Sequence, residues 1–176
     1  MLKTLYSFDF KISEDLVSIR SDFWNHFFNI ITWLGSWQGI TVIFITTSIA
    51  FILYKNKILI WPLLISIAGS GITAVIIKYL VNRARPGAGI SLYTEIGSSF
   101  PSAHAALIFA SFGFLTYYIS ESKINFVLKI ILVLLFILII TFVGFSRIYL
   151  GVHFTTDVLA GYLVGLLWVF IATHLR

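Results

Sequence analysis

An all-α, polytopic bundle of membrane-spanning helices is the fold that this sequence predicts, and three observations predict it. The 176 residues are 59% hydrophobic and only 11% charged. Their mean hydropathy is +0.99, far outside the range in which a soluble domain of this size stays dispersed. The apolar residues fall into five strong runs, each close to the roughly 20 residues that one helix needs to cross a hydrocarbon layer about 30 Å thick. Such a chain holds at most about six crossings with their connections, so residues 1–176 are expected to form a single transmembrane domain.

The elements follow in order. Residues 1–36 are amphipathic: Ser13 ahead of Glu14 and Asp15 supplies a helix start, and Phe23, Trp24, Phe27, Phe28 and Ile31 are spaced for one face. This segment is expected to lie in the membrane interface or dip into it, as a sixth helix beside the five spans. Asp9, Glu14, Asp15 and Asp22 interrupt its apolar positions and set it apart from a cleavable signal. The spans themselves are read at 37–54, 58–77, 101–120, 124–145 and 154–173. Alternation then puts the connections at 35–39, 78–100 and 146–153 on one face, with 55–57, 121–123 and the C-terminus on the other. Lys55, Lys57, Lys123, Lys129 and Arg176 gather on the second face with Glu121 as its one acid, which makes that face cytoplasmic by the positive-inside rule. Trp24, Trp33, Trp37 and Trp61 suit the aromatic belts, and the Gly161 and Gly165 spacing permits close helix contact.

Charge narrows the function. Twelve Lys and Arg against seven Asp and Glu give a net charge of +5, but most of these basic residues end apolar runs, where they serve as membrane anchors or anion ligands and call for no nucleic-acid partner. The absence of cysteine excludes disulfides, thiolate metal sites and cysteine nucleophiles.

Three polar clusters on the first face have the residue types of a phosphate site. In the first, Lys78 and Arg85 stand seven apart, which would align them over two helical turns, with Arg83 between them and Pro86 behind. Guanidinium forks match phosphate oxygens in pairs; the plainer alternative is snorkelling to the headgroups. In the second, Pro101, Ser102, Ala103 and His104 open a span, where the proline suits the first helical turn and the unpaired N–H groups attract an anion. Ser102 equally suits a simple cap, and His104 an interfacial polar position. The third holds Ser146, Arg147, His153 and Asp157. If that segment is helical, His153 and Asp157 share a face and the carboxylate holds one imidazole nitrogen protonated, leaving the other to attack. A structural polar pair is the alternative; a zinc site is open too, though no His-Glu-x-x-His pattern or acidic cluster completes one.

In order, spacing and context, Lys78-x6-Arg85-Pro86, Pro101-Ser102-x-His104 and Ser146-Arg147-x5-His153-x3-Asp157 resemble the three-part signature of the type-2 phosphatidic acid phosphatase family of membrane lipid phosphatases. The motifs span residues 78–157, and the family's six-helix architecture would account for the whole chain. The resemblance implies a double displacement that needs no metal and no cofactor. His153 would attack phosphorus to give a phosphohistidine, Asp157 would orient it, and His104 would protonate the departing oxygen and then activate water. Lys78, Arg85, Arg147 and Ser102 would hold the equatorial oxygens, with Arg83 as an accessory. Ala103 stands where the family commonly has glycine, a departure that is harmless to the backbone if φ is negative but brings a methyl group toward the phosphate. The family also implies inhibition by vanadate.

Two other readings compete. Vanadium-dependent haloperoxidases share a similar anion site but are soluble, against the hydropathy of this chain. A small anion or lipid transporter would line a path with basic residues, whereas these charges cluster at one boundary and leave the span interiors almost uncharged. The expected partners are therefore the bilayer and a lipid phosphate in it. Undecaprenyl diphosphate is the first candidate, ahead of phosphatidylglycerol phosphate and phosphatidic acid. The expected location is the bacterial cytoplasmic membrane with the site on the extracytoplasmic face.

Overall fold

The computed structural model describes residues 2–175, with side chains from residue 6 onward; Arg176, counted above with the cytoplasmic charges, lies outside them. Among the described residues every regular element is helical: α1 (Leu2–Ser18), α2 (Asp22–Trp33), α3 (Trp37–Leu53), α4 (Ile60–Val81, preceded by a 3-10 turn at Lys57–Leu59), α5 (Ala103–Glu121), α6 (Phe126–Tyr149) and α7 (Thr155–His174). Four stretches are long and apolar enough to cross a bilayer alone: Lys57–Val81, Ala103–Glu121, Phe126–Tyr149 and Thr155–His174. The run read as 37–54 joins them differently. At 17 residues α3 is short, and it reaches spanning length together with α2 across a bend of 53°.

The amphipathic segment at 1–36 therefore divides in two, and Ser13 starts neither part. Ser13 sits buried inside α1 with its hydroxyl donating to the carbonyl of Asp9, the back-bond that a mid-helix serine makes. The start signal is Ser21, which caps α2 by accepting the N–H of Trp24. Two further expectations shift at the helix ends. Lys78 and Arg147 lie inside the last turns of α4 and α6 rather than in connections. Pro101 precedes the cap of α5 instead of lying in its first turn, because Ser102 is the cap.

α5 is the central helix, packed against α4, α6 and α7. Its facing positions are small, with Ala105, Ala106 and Ala110 all fully buried. Against them α7 presents Gly161 and Gly165. A Cβ at Gly161 would come within 2.5 Å of the Ser102 carbonyl oxygen, and one at Gly165 within 2.7 Å of the Ala106 carbonyl oxygen. Helices in lipid gain little from burying apolar area against each other, so this close van der Waals fit is what holds the pair. α6 is the most apolar span and the least covered by the rest of the protein, so it offers most of its side chains to lipid. Trp24, Trp33, Trp37 and Trp61 are all exposed.

Candidate active site

Four helix ends meet at one end of the bundle. α4 stops at Asn82, which takes the left-handed conformation (φ 45°) and returns its N–H to the Lys78 carbonyl. The chain then folds back on itself: the Ser99 N–H donates to the Arg83 carbonyl, and the Ser99 hydroxyl to the Ala84 carbonyl. The Ser102 N–H donates to the Asp157 carbonyl, pinning the start of α5 to the start of α7. Between α6 and α7 the chain turns at Gly151 (φ 73°), where a side chain would run into the backbone of Ile90. The N–H groups of Val152 and His153 both donate to the Arg147 carbonyl.

These turns set the site. His153 lies outside the helix, one residue before the Phe154 cap, so the shared-helix-face argument for its partner fails; the turn itself brings the pair together. Its Nδ1 stands 3.6 Å from Oδ2 of Asp157, an ion-pair distance rather than a formed hydrogen bond. Both residues are buried, His153 at 2% exposure and Asp157 at 0%. Asp157 is itself fixed: its Oδ2 accepts the Phe154 N–H at 2.9 Å, and its Oδ1 accepts Nη1 of Arg83 at 2.6 Å. On the other side of the ring, Nε2 lies 3.4 Å from Nη1 of Arg85. An arginine can only donate, so Nε2 turns its lone pair toward the cation and the ring proton belongs on Nδ1, facing Asp157. Burial first, then Arg147, Arg85 and Lys78 nearby, push the imidazole down to about 4 against the pull of Asp157, so it is neutral at pH 7.

The cations gather around that lone pair. Lys78 and Arg85 do not share a helix face, because α4 ends before Arg85; both instead reach the Ser98 carbonyl, Lys78 Nζ at 2.6 Å and Arg85 Nη2 at 3.5 Å. Arg85 also donates to the carbonyls of Val152 and Gly97. Arg147 is buried, bonded through Nη1 to the Thr32 hydroxyl of α2 at 2.8 Å, while its Nε finds no partner. Arg147, His153, Lys78 and Arg85 are the charged and titratable neighbours of His104 in the first turn of α5, where a Cβ at Gly35 would come within 3.2 Å of the ring and 2.7 Å of Val143. Ser102 caps α5 by accepting the Ala105 N–H, which leaves its proton to donate inward. Ala103 begins α5 in ordinary helical geometry, free of backbone strain. Among the described residues no group of three or more His, Cys, Asp or Glu is gathered in the way a metal ion needs.

Several residues of the site escape sequence reasoning. Glu95 ion-pairs with both Arg147 and Arg85, the latter at 2.9 Å, so a carboxylate already spans two of the cations expected to hold phosphate. Burial raises its proton affinity, but Arg147 and then Arg85 outweigh this and hold the carboxyl below its ordinary range. Arg83, expected as an accessory, binds Asp157, the Thr156 hydroxyl and Asp9 at once and stacks over the Phe154 ring at 4.3 Å. Thr32 and Asp9 come from parts of the chain outside the three clusters. Asp9 did carry a signal: it shares a helical face with Ile12, Ser13 and Leu16, which marks an acid on the packed side of α1.

Comparison with known proteins supplies the family. The model of the PAP2 superfamily matches residues 59–176. Phosphatidylglycerophosphatase B of Bacillus subtilis strain 168 is 31% identical over 173 residues, covering 94% of this chain and 81% of the relative. Among solved structures, a transmembrane PAP2-type phosphatidylglycerolphosphate phosphatase from Bacillus subtilis superposes with a TM-score of 0.90 at 27% identity, over 98% of this chain and 86% of that one. Aquifex aeolicus LpxE superposes with a TM-score of 0.73 at 25% identity, over 93% of each chain. With apolar spans, a buried histidine–aspartate pair and a ring of cations at one end of its bundle, this chain belongs to the PAP2 superfamily, as an integral membrane phosphatase.

Proposed function

We propose that the protein hydrolyses the phosphate of a membrane lipid without a metal, through a phosphohistidine on His153. One observation carries the reading: a buried, neutral imidazole turns Nδ1 to a fixed carboxylate and Nε2 to a cluster of cations. In the first step Nε2 forms a bond to phosphorus in line with the breaking bond to the lipid oxygen, and His104 gives that oxygen its proton. In the second, His104 takes a proton from water, whose oxygen displaces His153 and releases inorganic phosphate. Lys78, Arg85, Arg147 and Ser102 bind the equatorial oxygens. Phosphoryl transfer leaves a protein little else to do than position groups and balance charge. The Glu95 carboxylate holds two of those arginines in place and gives way to the substrate phosphate, which carries more charge.

The site lies at the end of the spans, which suits an amphiphile whose phosphate reaches the boundary while its chains stay in lipid. The Bacillus subtilis relative moves phosphatidylglycerol phosphate ahead of undecaprenyl diphosphate as the first substrate to test. The opposite end of the bundle carries Lys55, Lys57, Lys123 and Lys129, so the site end is read as extracytoplasmic in a bacterial cytoplasmic membrane. The test is phosphate release by detergent-purified protein from phosphatidylglycerol phosphate, undecaprenyl diphosphate and phosphatidic acid in EDTA, beside His153→Ala. Release that survives EDTA and disappears in the variant is expected, and the rank order selects the substrate. Release unaffected by the loss of His153, or abolished by EDTA, overturns the reading.

A further inference from the structure

Asp9 belongs to α1, outside residues 59–176 that match the family, yet it is 1% exposed and ends at the catalytic pair. Its Oδ2 pairs with Nη2 of Arg83 at 2.8 Å and accepts the Thr156 hydroxyl, and its Oδ1 accepts the Thr156 N–H at 3.1 Å. Nη1 of the same Arg83 holds Oδ1 of Asp157 at 2.6 Å. One guanidinium thus lies between two buried carboxylates. Asp9, Arg83 and Asp157 together carry one net negative charge, and Asp157 presents it to Nδ1 of His153. Without Asp9, Arg83 would pair with Asp157 alone and the group would be neutral.

Resting on the phosphohistidine reading above, we infer that Asp9 is a positioning residue of the reaction, which shares Arg83 and so keeps the negative charge of Asp157 available to His153. That charge matters at one moment. When Nε2 bonds to phosphorus while Nδ1 keeps its proton, the ring becomes a phosphoryl-imidazolium with a full positive charge, in a pocket already crowded with cations. A net negative partner in a water-poor site lowers the barrier to that species. Arg83 also spans from α1 to α7, so the N-terminal helix is part of the machinery.

The test uses the full chain in detergent with the lipid that the wild type hydrolyses. Asp9→Asn keeps the shape and an acceptor for the Thr156 N–H but removes the charge; Asp9→Glu keeps the charge. The asparagine variant is expected to lose kcat by roughly tenfold to a hundredfold, the scale on which outer partners of a functional group act, with KM changed less than about threefold, while glutamate retains most of the rate. The groups facing His153 are Asp157 from α7, Arg147 from α6, Lys78 from α4, His104 from α5, and Arg85 and Glu95 from the loop before it. Removing a negative charge from this set disfavours the imidazolium, so the acid arm of kcat/KM moves to lower pH. A folding defect makes an enzyme more acid-sensitive, the opposite sign. Ile12→Ala, which loosens α1 against Ala105, Ile148 and Val158, serves as the structural control: its melting temperature falls while its acid arm does not move to lower pH. Asp9→Asn with wild-type kcat, or with an unmoved acid arm and only a lowered melting temperature, overturns the inference and leaves the phosphatase reading standing. A wild type that releases no lipid phosphate overturns both.

Discussion

The two halves of the site are built in different ways. The floor, from Arg147 through Gly151 to Asp157, is a backbone turn: N–H groups of Val152 and His153 meet the Arg147 carbonyl, and Arg147, His153 and Asp157 are each 2% exposed or less. The roof, the loop between α4 and α5, holds Arg85 by its reach to the Gly97, Ser98 and Val152 carbonyls, and its Glu95 remains 28% exposed in the side chain. The nucleophile of the proposed reaction has to meet phosphorus on a fixed line, and the residue proposed for it is placed by main chain. A cradle has to admit and release an anion, so it is placed by side chains that can exchange one carboxylate for one phosphate.

The contrast orders the effects of substitution. His153→Ala on the floor is expected to lower kcat/KM by a factor on the order of 10^4 or more, measured as phosphate release, since no other group takes over the attack. Arg147→Lys comes next, with a loss of roughly tenfold to a hundredfold, because an ammonium cannot replace a fork that reaches Thr32 and Glu95 together. If Arg147→Lys matched the wild type, the floor would not be the rigid half. Glu95→Gln on the roof acts in the opposite direction. Removing the internal anion is expected to tighten vanadate inhibition about threefold to tenfold and to lower KM, with kcat little changed, which a dose–response titration reads directly; weaker inhibition would mean that Glu95 supports the cradle instead of occupying it. The pH profile separates the halves again. His153 must be neutral to attack, so the rate falls as pH drops through its free-enzyme value of about 4, and His104 must be protonated to donate, so the rate falls again on the alkaline side as that proton is lost. A flat profile from about pH 3 to 9 would contradict both roles. Ala103→Gly is the smallest change: with ordinary helical geometry at Ala103, stability should shift by less than about 1 kcal/mol in thermal unfolding.

What was legible in the sequence divides along similar lines. Apolar run length predicts the helices, because each segment must satisfy its backbone within itself when lipid surrounds it. The ends were less legible. Lys78 and Arg147 are polar but stay helical, since they face the site rather than water. α2 and α3 read as separate elements because the break at residues 34–36 interrupts both runs. Motif spacing brings His153, Asp157, Arg85 and Lys78 into view, but the structure joins them differently: a turn, not a helix face, joins His153 to Asp157, and the Ser98 carbonyl, not two turns of α4, joins Lys78 to Arg85. Glu95 and Thr32 are not legible because their partners lie far along the chain; Asp9 is legible only as an acid on the packed face of α1, and its contact with residue 156 leaves no local sign. The weight of Arg83 is hidden for the same reason, since its three partners come from α1 and α7.

The central claim is that His153 carries the phosphoryl group, and trapping tests it most directly. Protein mixed with phosphatidylglycerol phosphate in EDTA, quenched under alkaline conditions that preserve phosphohistidine and digested for mass spectrometry, should show one added phosphoryl group on the peptide containing His153. It should be absent from Asp157→Asn or much reduced there. Turnover with no phosphorylated His153, or with the group on another residue, would contradict the account.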